Sequence, residues 1–216
     1  MNTNETTLSL IPALQAYGES LEKEFSLIPF ERRRYLMSLS DYFSNKFLHQ
    51  QTPKIIVICT HNSRRSHLGQ LWLAVGADYY QLPAVKTYSG GTEATAFNPR
   101  AVATIKSIGF EVRQTAYHSP TNPIYNVRWS NQASSYQAFS KKYDDAPNPT
   151  KNFAAIMVCT EADADCPYVA GADFRLSLPY EDPKAFDETS QEREKYAERC
   201  RQIGRELFYA LSQVKF

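Results

Sequence analysis

Two short, unbroken apolar runs constrain this chain more than any other feature of its sequence. Ile55-Ile56-Val57-Ile58 and Phe153-Ala154-Ala155-Ile156-Met157-Val158 are bounded and too short for ordinary helices, and neither alternates like a half-exposed strand. Such runs suit strands buried on both faces, the arrangement of a parallel sheet covered by helices. Val85 to Ser89, ending in Gly90-Gly91, and Phe174 to Leu178 read as further strands. Between them, Ser66 to Tyr80 places Leu68, Leu71, Trp72, Val75 and Tyr79 along one helical side. Asn98-Pro99 opens another helix that Gly109 stops, and a long amphipathic helix runs from about Ser190 to Val214. Strands alternating with helices predict an α/β layered fold with a parallel sheet. Ligands in such folds gather beyond the carboxyl ends of the strands. Cys59 and Cys159 each follow a buried strand, so both are expected on that edge.

Residues 1–50 carry a different pattern. Ile11, Leu14, Leu21, Phe25 and Ile28 recur at helical spacings with Gly18 as a weak point, and Leu36, Leu39, Phe43 and Phe47 form a second stripe after Pro29. A helical hairpin is expected, packed on the main unit (51–216) or on a second copy, with Arg32-Arg33-Arg34 on its solvated face. Residues 119–152 form an insertion rich in proline and aromatic residues. It is expected to hold a short helix near 131–143 and to act either as a lid or as a surface element packed by its own rings.

Composition narrows the classes. A net charge of +1 argues against binding nucleic acid or a membrane surface through bulk electrostatics. No run approaches the roughly 20 apolar residues of a membrane span, and the first residues lack the pattern of a signal peptide, so a cytoplasmic protein is expected. Four cysteines are too few for a disulfide scaffold at this length. None forms a C-x2-C pair and the histidines are scattered, so no metal site is expected.

The segment Cys59-Thr60-His61-Asn62-Ser63-Arg64-Arg65-Ser66 lies between the first expected strand and the following helix. A loop curling from strand into helix turns successive backbone N–H groups toward one point, and the helix N-terminus adds partial positive charge. Arg65 can grip two oxygens of a tetrahedral oxyanion. A thiol at the centre of such a cradle favours its thiolate form. Asn62 suits a backbone position with positive φ, and Ser66 can cap the helix and donate to the Cys59 sulfur. Thr60 to Ser66 are therefore the candidate oxyanion-binding residues around the nucleophile Cys59. The bland alternative is a core cysteine ending a strand.

These residues resemble the low-molecular-weight protein tyrosine phosphatase superfamily and, within it, the thioredoxin-coupled arsenate reductases. Cys59-x5-Arg65-Ser66 matches the phosphate loop. Ser89-Gly90-Gly91, Asn98-Pro99 and Gly109 match the next strand and helix, and Asp182-Pro183 matches the late Asp-Pro whose aspartate is the general acid. The resemblance runs from about Lys54 to the C-terminus. It implies a four-stranded parallel sheet flanked by helices, and no cofactor is expected, since Gln70 stands where the potassium-binding reductases carry a glutamate beside the positions of Asn62 and Ser89.

The resemblance also implies chemistry. In both activities the Cys59 thiolate attacks phosphorus or arsenic, Arg65 and the loop hold the oxygens, and Asp182 protonates the departing one. A phosphatase lets water hydrolyse the adduct. A reductase uses a second thiol, and Cys159 to Cys166 resembles the reductases' redox segment: Cys159 attacks Cys59, Cys166 attacks Cys159, and thioredoxin reduces the resulting disulfide. Seven residues of intact helix would hold those two Cα atoms about 10.5 Å apart, beyond the roughly 4.4–6.8 Å of a disulfide, so the segment must unwind on oxidation. Read without the resemblance, Cys159 suits a core position, whereas Cys166 beside Asp165 and Pro167 does not. Lys184-Ala185-Phe186 after Asp182-Pro183, in place of a tyrosine pair, also leans toward the reductases. Arsenate reduction is the first expectation, hydrolysis of phosphotyrosine or aryl phosphates the second, and a non-catalytic oxyanion sensor the third. Cys200 falls in the last helix and is expected to serve packing.

Overall fold

The computed structural model describes residues 9–115, 119–131, 135–165 and 168–216. The elements that carry the site are β1 (Lys54–Cys59), α3 (Arg65–Tyr79), β2 (Lys86–Gly91), α4 (Pro99–Ser107), β6 (Phe153–Met157), α5 (Thr160–Asp165), β7 (Ala172–Ser177) and α6 (Glu192–Ser212). Four strands form one parallel sheet in the order β2-β1-β6-β7. The α/β fold with four parallel strands flanked by helices is thus the observed architecture. Ile55 to Cys59 and all of β6 are buried, as their continuous apolar character requires. β1 and β6 run in register from Ile55 opposite Ala154 to Ile58 opposite Met157, so Cys59 and Cys159 leave the sheet at the same edge.

The helices form a shell over this sheet. α3 packs on β1, β2 and α6, and α6 also receives α4, α2 (Phe30–Leu48) and α1 (Pro12–Glu22). The first apolar stripe is interrupted: α1 ends at Glu22, a single 3-10 turn spans Phe25–Leu27, and Ile28 lies beyond it. Leu14 and Leu21 of α1 and Leu36, Leu39 and Phe43 of α2 are fully buried. Gly18 is a contact rather than a weak point, since a Cβ there would stand 2.8 Å from the Phe208 ring and 2.9 Å from Tyr79. The three arginines are not a uniform solvated face. Arg32 pairs with buried Glu206 at 2.8 Å and donates to the Pro179 carbonyl, and Arg33 donates to the carbonyls of Ile28 and Ser26. Only Arg34, paired with Glu31, remains at the surface.

The insertion differs from expectation. β3 (Glu111–Gln114), β4 (Tyr125–Arg128) and β5 (Tyr136–Ala138) make a second, antiparallel sheet in the order β3-β4-β5. A strand therefore occupies part of the 131–143 stretch expected to be helical, of which residues 132–134 lie outside the described residues. Two-residue periodicity is the reason: Tyr125 and Val127 are buried in β4 and Ala138 in β5, while Gln137 between faces out. The N-terminal segment joins this sheet through Leu10 and Ser130.

Candidate active site

β1 ends at Cys59 and α3 begins at Arg65, so the loop between them is short and strongly bent. Asn62 absorbs the bend with φ at 44°. The loop carbonyls are drawn outward: that of Cys59 accepts from Thr92 N–H at 3.1 Å, that of Thr60 from Glu93 N–H at 2.8 Å, and that of Ser63 from Asn98 N–H at 2.9 Å. The His61 carbonyl accepts from the Thr95 hydroxyl at 3.1 Å and the Ser140 hydroxyl at 2.9 Å. Carbonyls so engaged belong to a loop that can turn its peptide N–H groups toward an anion. Gly91 makes this closeness possible, since a Cβ there would stand 2.7 Å from Asn62 N and 2.6 Å from the Thr60 carbonyl oxygen.

Cys59 is buried and its Sγ lies 3.0 Å from Ser66 Oγ. The direction of that bond follows from its neighbours. Lys141 N–H donates to Asn62 Oδ1 at 2.9 Å, which turns Asn62 Nδ2 toward Ser66 Oγ at 2.8 Å. Ser66 Oγ is then an acceptor on one side, and its hydroxyl proton is free for the Cys59 sulfur. Arg65 is buried with its guanidinium held by the Tyr180 carbonyl at 2.7 Å and by Asp182 Oδ2 at 2.7 Å. Asp182 Oδ1 accepts from Lys184 N–H, capping the 3-10 turn Pro183–Phe186. Arg64 faces away from the cradle. It donates to Tyr196 Oη at 2.6 Å and to Asp187 Oδ2 at 3.1 Å, tying the loop to α6, and its Nε stands 3.9 Å from Asp182. Thr60 and Ser63 line the loop, and His61, half exposed, stands 3.6 Å from Glu93.

The second thiol is beside the first loop. Cys159 is buried with its Sγ 3.4 Å from Thr60 Oγ1. α5 starts at once after it and is anchored to β7 through Asp163, which accepts from Arg175 at 2.5 Å and from Ser177 Oγ at 2.7 Å. Cys166 lies outside the described residues. Cys200 is buried in α6 and accepts from Trp72 Nε1 at 3.3 Å; burial pushes its thiol up to about 12, which fits packing.

Several site neighbours escaped sequence reasoning. Glu161, at the start of α5, is held below the usual carboxylate range, first by its own backbone N–H and further by the charge of Arg65. Asp187, Tyr196 and the Tyr180 carbonyl brace the two loop arginines from distant segments. His67 is fully buried, stacked on Phe97 and 3.3 Å from Ser89 Oγ; burial, with the charge of Lys141 adding, pushes it well below the ordinary histidine range. Of the insertion's aromatic residues, Trp129 is bound to Asp78 at 2.7 Å and Tyr125 is buried against Phe97.

No protein-family model matches the chain. An arsenate reductase of Bacillus subtilis (strain 168) is 28% identical over 156 residues, covering 71% of this chain and 91% of the relative. An arsenate reductase of Bacillus cereus (strain Q1) is 23% identical over 152 residues, covering 69% and 92%. The chain resembles the low-molecular-weight phosphatase superfamily on its arsenate-reductase side. Among solved structures, a low-molecular-weight phosphotyrosine phosphatase from Vibrio cholerae O395 aligns with a TM-score of 0.47 at 15% identity, over 74% of this chain and 95% of that one.

Proposed function

We propose that this protein reduces arsenate to arsenite by a thiol relay that begins at Cys59. The chain is an enzyme of the arsenate reductase or low-molecular-weight phosphatase type, and the choice between them rests on how the first adduct is resolved. The Cys59 thiolate attacks arsenic, a water leaves, and a cysteinyl arsenate forms with its oxygens on the loop N–H groups. Arg65 turns from the Asp182 carboxylate to the oxyanion, which leaves Asp182 able to carry the proton that the departing oxygen takes. Cys159 then attacks the Cys59 sulfur. A Cys59–Cys159 disulfide forms, the sulfur–arsenic bond breaks, and its electron pair leaves with arsenic as arsenite. Cys166 next displaces Cys59 from Cys159, and thioredoxin reduces the Cys159–Cys166 disulfide to restart the cycle.

The observation that carries this reading is the 3.4 Å contact between Cys159 Sγ and the Thr60 hydroxyl, which sets a second thiol against the first residue of the nucleophile's loop. Hydrolysis of the adduct by water does not call on that thiol. Three variants test the proposal in one assay series. Cys59→Ser is expected to abolish both thioredoxin-coupled arsenate reduction and aryl phosphate hydrolysis. Cys159→Ala and Cys166→Ala are expected to stop reduction after at most one turnover while sparing any hydrolysis. Brisk phosphatase turnover without arsenate reduction in the unmodified protein would overturn the reading.

A further inference from the structure

Lys141 follows β5 and is only 3% exposed. Its main chain is bound on both sides, the N–H to Asn62 Oδ1 at 2.9 Å and the carbonyl to Gly91 N–H at 2.9 Å. The side chain is buried with it: Nζ donates to the Phe139 carbonyl at 3.3 Å and lies 4.6 Å from that ring's centroid. Among the described residues, the titratable groups that act on it are His67 from α3 and Asp145 from the turn after it. β2 brings Ser89, Gly90 and Gly91 to this place, none of which titrates. His67 is neutral, and exposed Asp145 is spent on Lys142 N–H at 3.0 Å. The ammonium is thus buried among mostly neutral contacts, and that burial pushes Lys141 down to about 8. A methionine would fill the same space without the cost of burying a charge.

We propose that Lys141 is a positioning residue for oxyanion binding, its buried ammonium adding a positive charge behind the Cys59 loop to the one that Arg65 supplies. The same residue's N–H sets the Asn62 amide, and through Asn62 and Ser66 it sets the hydroxyl that faces Cys59. One residue therefore contributes both charge and orientation to the cradle. The inference rests on the reading of that loop as an oxyanion site.

The test is calorimetric titration of the full chain with inorganic phosphate at pH 7. Lys141→Met is expected to weaken phosphate binding about tenfold, as a unit charge near a partly buried site would, and to melt no lower than the parent. Lys142→Met, an exposed neighbour, is expected to bind within about twofold of the parent. A second measurement needs no substitution in the protein under test. Binding linkage is reciprocal, so phosphate must raise the Lys141 titration by about one unit in a chain labelled with 13C at lysine Cε. The Lys141 resonance is assigned by its loss in Lys141→Arg. Parent-like binding by Lys141→Met, or a Lys141 titration that phosphate leaves unmoved, would overturn the inference. If Lys141→Met fails to fold, the labelled titration decides alone. Absence of phosphate binding in the parent would sink both this and the reading of the loop. Phosphate binding without arsenate reduction would sink the reductase reading and leave this inference standing.

Discussion

Ser66 and Asn62 show how a few atoms decide which hydrogen bond one sulfur receives. Asn62 can present its oxygen to only one neighbour at this geometry, and Lys141 N–H claims it. Ser66 is left with its proton for Cys59, and a hydrogen bond to a charged sulfur is worth about 1.5–3 kcal/mol. Ser66→Ala is therefore expected to lower kcat about tenfold or more with little change in the melting temperature, read from initial rates and a thermal melt. Asp182 presents the complementary case. In the structure it is paired with Arg65, and in the proposed reaction an incoming anion releases it. Asp182→Asn is expected to slow turnover about a hundredfold or more, while phosphate binding holds or tightens because Arg65 loses a competing carboxylate. Unchanged turnover by that variant would remove Asp182 from the reaction. At this scale the sequence was informative where the partners are neighbours: Cys59, Asn62, Arg65 and Ser66 occur within eight residues, and each had a physical reason to be there. Lys141, Tyr180, Asp187 and Tyr196 act on the same loop from far along the chain, and no local pattern marks them.

Among the elements, the strands and helices of the parallel sheet were legible because burial on both faces leaves a continuous apolar run that has few other uses. The second sheet was not. β3 buries only Val112, β4 and β5 are three or four residues long, and aromatic residues in that stretch fit a short helix as well as an edge strand. The two N-terminal helices were legible as helices, but their attachment was not. Part of that attachment is ionic: Glu24 accepts from Arg201 at 2.8 Å and from Arg205 at 3.3 Å, both on α6. Its carboxyl is held below the usual range, first by the Arg201 hydrogen bonds. A depressed folded value means that the stabilisation is complete above the unfolded carboxylate range near pH 4.5 and is lost as pH falls through the folded value. Glu24→Gln is accordingly expected to lower Tm by about 2 °C at pH 7, and that difference is expected to shrink steadily as pH falls below 4.5. A difference that does not change with pH would assign the loss to packing instead.

For the whole molecule, the parallel order β2-β1-β6-β7 is what brings the chemistry together. Adjacent strands in register release Cys59 and Cys159 at one edge, although a hundred residues separate them in sequence. The net charge of +1 offers little long-range attraction for an anion, so in the proposed reaction capture falls to the loop, Arg65 and the charge proposed behind them. Among the described residues no helix is long and apolar enough to cross a membrane. The central claim is that the second thiol completes the reaction of the first, and a thiol count tests it most directly. The chain holds four cysteines. Titration of the denatured protein before and after one equivalent of arsenate, in the absence of thioredoxin, is predicted to fall from four thiols to two as one arsenite appears. Four thiols remaining beside unreduced arsenate would contradict the account.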